Sequence, residues 1–167
     1  MKWVLRILLG LAIVVAVIAV VGWLLPVSHE ASRSAEFSRP PEAVYVLVAD
    51  VRNYPIWWKD ISQVDMLVEE PGRTTFREHM STGPVVITVT EAAPPSRFVT
   101  KIDDPDQPFG GTWTFEITPT AEGSRLTITE RGEVYNPIFR FLSRFVFGYT
   151  STMESFLAAA RERLRTT

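Results

Sequence analysis

The chain has 167 residues, 46% of them hydrophobic, and a formal net charge of −2 at pH 7, which suits one globular domain with an additional segment. The absence of cysteine excludes disulfide bonds, thiolate nucleophiles and Cys-ligated zinc. Once Lys2 and Arg6 are set aside, 15 of the 17 Lys and Arg residues remain against 19 Asp and Glu residues, so we expect no nucleic-acid partner, which would require clustered positive charge.

The first element is an uncharged run of 19 residues, Ile7 to Leu25. As an α-helix rising about 1.5 Å per residue it measures roughly 30 Å, the thickness of the hydrocarbon core of a bilayer. A cleaved signal peptide is the alternative, but its apolar core is usually only about 7–15 residues long and ends at a small-x-small site. We therefore predict a transmembrane anchor and flank over residues 1–28, bilayer contact through residues 7–25, and a globular domain over residues 29–167.

The charges beside this run predict its orientation. Lys2 and Arg6 precede it, whereas the mixed flank of His29, Glu30 and Arg33 follows it. Because basic residues favour the cytoplasmic side of a membrane, we expect a cytoplasmic N-terminus and a globular domain on the exoplasmic or periplasmic side.

A strand at about 30–38 and a helix that begins near Pro41 follow the anchor. The next stretch, VRNYPIWWKDI, is too broken for a long helix and predicts a short helical turn that begins near Pro55. Tyr54 and Ile61 lie three and four residues from Trp57, on one helical face. The spacing therefore predicts that Trp57 points inward and Trp58 is partly exposed.

Six strand-like runs with turn residues between them come next. They are SQVDMLVEE, RTTFREHM, GPVVITVTEA, RFVTKIDD, GGTWTFEITPT and SRLTITERGEVY. Short, even spacing of this kind is typical of an antiparallel meander and not of alternating strands and helices. We therefore predict an antiparallel sheet of about seven strands.

The chain ends in a predicted helix of about 30 residues, which Asn136 caps and Pro137 begins. Its apolar stripe repeats every three or four residues and consists of Phe141, Phe145, Tyr149, Met153, Phe156, Ala160 and Leu164. Phe139 and Phe147 fall outside the stripe and could contact the bilayer or a second subunit. A strongly curved sheet covered by this helix would enclose a cavity between them.

This order of elements resembles the START-like superfamily, also called SRPBCC, and within it the polyketide cyclase/dehydrase and lipid-transport group. The matching stretches are SRPPEAVYVLVADVRNYPIWWKDI, TEAAPPSRFV, GGTWTFEITPTAEGSRLTITERGEV and the final helix, which together cover about residues 30–165. The resemblance implies an α+β helix-grip fold, in which the curved sheet wraps around the long C-terminal helix, with a deep, largely apolar cavity. It does not imply one function, because members include lipid carriers, cyclases, dehydratases and binding modules. The N-terminal transmembrane helix departs from the commonest soluble members.

Strand alternation predicts two inward carboxyl groups. Glu130 shares its face with Leu126 and Ile128, and Glu78 shares its face with Phe76 and Met80. Carboxyl groups in an apolar cavity acquire raised pKa values and can act as acid or base, so Glu130 and Glu78 are the catalytic candidates. The alternative is that they pair with Arg77, Arg97 or Arg131 at the cavity mouth.

The predicted ligand-binding wall combines the inward aromatic side chains with Glu130 as an anchor for a polar head group. It consists of Trp57, Trp113, Phe115, Glu130, Phe141, Phe145 and Tyr149. Neither His29 nor His79 has the spacing of a zinc motif, and the sequence contains no nucleophile elbow or nucleotide-binding loop. We expect no metal and no cofactor.

Three functions remain open. The first is a membrane-tethered module that binds a small hydrophobic or amphipathic ligand, either a lipid or a polyketide-like molecule, without catalysis. The second is a cyclase or dehydratase that uses Glu130 or Glu78 as general acid or base. The third is a structural or assembly domain whose cavity is filled by its own side chains.

Overall fold

The computed structural model describes residues 2–166, which form five helices and seven strands. The helices are α1 (Lys2–Leu24), α2 (Pro41–Ala49), α3 (Tyr54–Trp57), α4 (Pro137–Leu142) and α5 (Ser151–Thr166). The strands are β1 (Ser28–Phe37), β2 (Ile61–Glu70), β3 (Arg73–Met80), β4 (Gly83–Ala93), β5 (Arg97–Ile102), β6 (Phe109–Thr120) and β7 (Gly123–Val134). This order confirms the predicted helix-grip fold.

The strands form one antiparallel sheet in the order β1-β7-β6-β5-β4-β3-β2. Strands β2 to β7 follow one another as a meander, and two-residue turns at 71–72, 81–82 and 121–122 connect three of the pairs. Strand β1 instead pairs with β7, where Ser28 lies opposite Glu133 and Phe37 opposite Ser124. Since β1 and β2 are the two edges of the sheet, α2 and α3 run between them across the concave face.

Helix α5 covers the concave face with a stripe at three- and four-residue spacing. The stripe consists of Met153, Phe156, Leu157 and Ala160, all of them buried. Phe156 meets the rings of Tyr54, Trp57, Trp58 and Trp113 edge-on at centroid distances of 5.0 to 6.4 Å. It also contacts Phe115 at 5.4 Å. The centre of the interior is therefore an aromatic cluster around one α5 side chain.

The predicted continuous C-terminal helix is wrong in its first half. Helix α4 ends at Leu142, a π-helical turn occupies Ser143–Phe147, and Gly148 has a φ of 75°. That positive φ is incompatible with a continuing right-handed helix, so the chain changes direction before α5 begins. The N-cap prediction at Asn136 is confirmed, because its side chain accepts hydrogen bonds from the backbone N–H groups of Ile138 and Phe139.

Helix α1 projects from the domain and packs only at its C-terminal end. It is long and apolar enough to cross a membrane, with a mean hydropathy of 3.0 over a window of which no residue is buried. Gly22, near the C-terminal end of α1, is buried, and a Cβ atom there would collide with the carbonyl of Pro137. Arg140 then donates to the carbonyl of Leu25 at 2.9 Å. The end of α1 and the start of α4 are therefore joined by direct contact.

Candidate functional site

Glu78 lies on the concave face of β3, as the alternation predicts. Its neighbours across the sheet are Val64 on β2 and Val85 on β4. The residue is 6% exposed, and within residues 2–166 the structure shows no hydrogen bond or ion pair to its carboxyl group. Burial alone raises the pKa of this carboxyl from its ordinary value near 4.5 to about 7. A group with this pKa can give or take a proton near neutral pH.

Two aromatic residues of α3 place polar groups in the interior. The Tyr54 hydroxyl donates to the carbonyl of Val48 at 2.6 Å. Burial raises the pKa of Tyr54 well above its ordinary value, and the negative charge of Glu78 adds to this effect. The indole N–H of Trp57 is buried and has no hydrogen-bond partner within residues 2–166. Buried polar groups are rarely left unpaired in proteins, so Trp57 offers a free donor.

Several apolar side chains around Glu78 contact the core and yet remain partly exposed to solvent. They are Val64, Met66, Met80, Ile87 and Val89. All five lie on the concave face of β2, β3 and β4, where α5 does not cover the sheet as fully as it does at Phe156. This uncovered part of the concave face is apolar and contains Glu78.

Glu130 occupies a second position on the concave face, and both of its oxygens are held. The indole N–H of Trp113 donates to one oxygen at 2.7 Å, and the imidazole Nε2 of His29 lies 3.0 Å from the other. The His29 ring stacks on Tyr149 with a centroid distance of 3.8 Å. Gly132 leaves the space for this arrangement, since a Cβ there would collide with the imidazole.

The two carboxyl groups belong to different parts of the sheet. Glu78 is on β3 and Glu130 is on β7, four strand spacings apart in the sheet order. At about 4.8 Å per spacing this separation is roughly 19 Å along the sheet. Three strands, β4, β5 and β6, therefore lie between them. Within residues 2–166 the predicted ion pairs with arginine are not observed for either carboxyl: Arg97 pairs with Glu91 and Glu116, and Arg131 with Glu30.

The remaining residues of the predicted wall divide between interior and surface. Phe115 is buried and Trp113 is partly buried on the concave face. Phe141 is partly buried and its ring contacts that of Phe145 in a tilted arrangement at a centroid distance of 4.9 Å, but Phe145 itself is 59% exposed. Phe145 belongs to the π-helical turn, in which no residue is buried. The ligand-binding role of these residues stays a prediction.

The expected exposure of Trp58 is wrong. Trp58 is 3% exposed, and its indole N–H donates to the Ser155 hydroxyl at 3.2 Å. Trp57 is only partly buried. Both rings reach Phe156 because α3 ends at Trp57 and the backbone becomes extended at Trp58. A helical spacing argument therefore does not apply across the pair.

His29 contacts Glu130 in the folded chain, a contact that we do not predict from the sequence. The sequence places His29 in the flank that follows the apolar run, whereas in the structure it is the second residue of β1 and lies opposite Gly132 of β7. Alternation back from Phe37, Ala35 and Ala31 places His29 on the concave face, and this signal could have found it. Among residues 2–166 no group of three His, Asp or Glu side chains is arranged to hold a metal ion.

Two open recesses lie outside this interior. One of about 530 Å³ has a lining that includes Arg77, His79 and Val86, around the turn between β3 and β4. The other, of about 330 Å³, is formed by 28–30 at the start of β1 and 131–133 near the end of β7. Both recesses are therefore at the rim of the sheet, and neither is lined by Glu78 or Glu130.

Comparison with known proteins gives a family and several similar folds. The family model described as polyketide cyclase / dehydrase and lipid transport matches residues 28–166. No curated protein matches the sequence.

Among solved structures, the di-domain ARO/CYC StfQ from the steffimycin biosynthetic pathway has a TM-score of 0.70 at 14% identity, covering 84% of this chain and 52% of that one. The present chain thus spans about half the length of StfQ. The protein TTHA0849 from Thermus thermophilus has a TM-score of 0.67 at 24% identity, covering 83% and 97%. A START superfamily protein from Mycobacterium smegmatis has a TM-score of 0.64 at 19% identity, covering 83% and 98%. At these identities the likeness concerns the fold.

The buried Glu78 carboxyl makes stability depend on pH. Its folded pKa of about 7 exceeds the ordinary value near 4.5, so the folded state binds more protons between these pH values and stability falls as pH rises through that window. The loss is on the order of 3 kcal/mol and is complete above pH 7. We expect Glu78→Gln to remove this loss, as measured by unfolding free energies of both proteins from pH 4 to pH 8.

Glu122→Gln is the matched control, because Glu122 is exposed in the turn between β6 and β7. Its pH profile should follow that of the unchanged protein. An identical profile for Glu78→Gln and the unchanged protein would show that the Glu78 carboxyl does not titrate in this window.

Proposed function

Because this chain belongs to the polyketide cyclase / dehydrase and lipid transport family, we propose that it is a membrane-tethered domain that binds a small hydrophobic or amphipathic ligand, such as a lipid or a polyketide-like molecule. The ligand lies against the uncovered concave surface of β2, β3 and β4. The observation that carries this proposal is a pair of unpartnered polar groups, the Glu78 carboxyl and the Trp57 indole N–H, in apolar surroundings.

An amphipathic ligand satisfies both kinds of group. Its apolar part covers Met80, Ile87 and Val89, and each buried CH₂ contributes about 0.8 kcal/mol. Its polar end accepts a hydrogen bond from Trp57 and exchanges one with Glu78, which supplies orientation. Pairing these groups also removes the unfavourable free energy of burying them unpaired, about 1–3 kcal/mol for each group.

Filling the uncovered surface tests ligand binding. We expect Ile87→Trp, which places a large ring among the partly exposed side chains of β2 to β4, to lower the amount of co-purified ligand about tenfold, equivalent to about 1.4 kcal/mol of binding free energy. The measurement is native mass spectrometry of the full chain, with identification of the bound small molecules.

Val46→Trp is the control, because Val46 is 66% exposed on α2 and lies away from the site. It should retain the ligand of the unchanged protein. The unchanged protein could instead carry no ligand and bind no added fatty acid or phospholipid. That result would favour the third function, a structural domain filled by its own aromatic cluster.

A catalytic function is the second proposal, and the Glu130–His29 contact favours it. A carboxylate hydrogen-bonded to an imidazole can accept a proton and pass it on, and the indole N–H of Trp113 orients the carboxylate at 2.7 Å. The family description includes cyclases and dehydrases. In dehydration of a β-hydroxyketone, Glu130 acts as the general base that removes the proton from the carbon next to the ketone. The electron pair of that C–H bond forms the C=C bond, the β C–O bond breaks, and the leaving hydroxyl takes the proton from Glu130 and departs as water.

Glu130→Gln separates catalysis from binding. For dehydration of a β-hydroxyketone we expect the variant to lose about 10² to 10⁴ in kcat, the usual contribution of a positioned base, while ligand binding at Glu78 is unchanged. Glu116→Gln, on the opposite face of β6, is the control. No turnover by the unchanged protein, or equal turnover by Glu130→Gln, would exclude this proposal.

The tether in this proposal is α1, whose only packed part is its C-terminal end. Lys2 and Arg6 precede its apolar run, so the N-terminus lies in the cytoplasm and the domain on the exoplasmic or periplasmic side.

Because the chain contains no cysteine, a single Glu122→Cys substitution reports the side of the membrane. We expect a membrane-impermeant maleimide to label it in sealed right-side-out vesicles and to miss it in inside-out vesicles. The reverse pattern would place the domain in the cytoplasm, and a soluble labelled protein without α1 would indicate a cleaved signal peptide.

A further inference from the structure

The segment from Ile138 to Phe147 exposes five large apolar side chains within ten residues. They are Ile138, Phe139, Phe145, Val146 and Phe147, each between 40% and 63% exposed. Soluble surfaces rarely carry a contiguous apolar patch of this kind unless it contacts a partner or a membrane. Ile138 and Phe139 belong to α4, and Phe145, Val146 and Phe147 belong to the π-helical turn that ends at Gly148.

The position of this segment against α1 indicates its partner. Pro137 packs on Gly22, three residues before the end of the apolar run at Leu25. At about 1.5 Å per residue the contact therefore lies roughly 4.5 Å inside that end. Ile18 and Ala19, one turn earlier on α1, are also partly covered. If α1 spans a bilayer, α4 is held at the depth of the hydrocarbon edge.

The charged groups of the segment are compatible with that depth. The guanidinium of Arg140 is buried and donates to the carbonyls of Val134, Tyr135 and Leu25, each at 2.9 Å, so the protein itself satisfies its hydrogen bonds. Arg144 is exposed, and its long side chain can reach upward to phosphate groups while its stem stays among lipid tails. Apolar residues with basic ones beside them are typical of interfacial membrane segments.

We propose that residues 138–147 insert into the outer surface of the bilayer as a second membrane element beside α1. This inference rests on the tether described under Proposed function, and it adds a contact that a single spanning helix does not provide. Two contacts fix the orientation of the domain, whereas one helix leaves it free to rotate. Tyr149, two residues after the patch, and the His29–Glu130 pair then lie at the lipid surface, where an apolar ligand can pass between membrane and domain without crossing water.

Spin labels on the full chain test this inference. Single cysteines replace Ile13 in the middle of α1, Phe139 and Phe147 in the patch, and Glu122 in the turn between β6 and β7. Each carries a nitroxide and is reconstituted in vesicles of phosphatidylcholine and phosphatidylglycerol. We expect the labels at 13, 139 and 147 to be more accessible to oxygen than to a water-soluble nickel chelate, and the label at 122 to show the reverse.

The outcomes separate this proposal from the tether. Labels at 139 and 147 that respond to the nickel chelate, with the label at 13 in lipid, overturn the inserted segment and leave the tether intact. A label at 13 in water overturns the tether itself. Labels at 139 and 147 shielded from both reagents, with spin–spin broadening between chains, assign the patch to a second copy and overturn the proposal.

A measurement on the unchanged protein avoids dependence on the labelled variants. A phospholipid with a photoreactive group in its acyl chain is incorporated in the same vesicles, and the cross-linked peptides are identified by mass spectrometry. We expect cross-links on residues 138–147 in addition to residues 7–25, and none on the turn at 121–122. Cross-links confined to residues 7–25 would overturn the inserted segment.

Discussion

Phe156 of α5 packs against both the α3 region and the sheet. Its ring is fully buried and contacts three aromatic residues of the α3 region and two of β6. These contacts stabilise the fold beyond simple burial, because offset and edge-on ring contacts add to the free energy gained by removing the rings from water. This cluster occupies the centre of the concave face, and Glu78 on β3 and Glu130 on β7 lie to its two sides.

These two sides differ in chemistry although each carries a carboxyl group. Glu78 is buried without a partner among residues 2–166, and its raised pKa allows it to remain protonated near neutral pH, where it can donate a hydrogen bond. Glu130 is held by Trp113 and His29, so it acts as an acceptor in a fixed position. The concave face therefore combines an adaptable polar group with a rigid one.

The C-terminal region packs against two different parts of the molecule. Gly148 separates α5, whose buried stripe lies on the sheet, from α4, which contacts the end of α1 and exposes Ile138 and Phe139. Arg140 fastens α4 to the end of α1 through backbone carbonyls, which no apolar side chain could do. The break at Gly148 therefore separates two helical segments with different packing partners. Helix α5 packs on the sheet, and α4 packs on the end of α1.

Local sequence patterns account for a large part of this protein. Period-two alternation placed Glu78 and Glu130 on the inner face, turn residues divided the seven strands, and the length of the apolar run identified α1. The meetings between distant groups arise only in the folded chain. His29 and Glu130 are 101 residues apart in the chain, the Trp58 indole donates to Ser155 of α5, and Arg140 of α4 donates to the carbonyl of Leu25 at the end of α1. Periodicity records which face a side chain occupies but carries no information about what lies opposite, because pairing across a sheet and packing between distant helices depend on the whole fold.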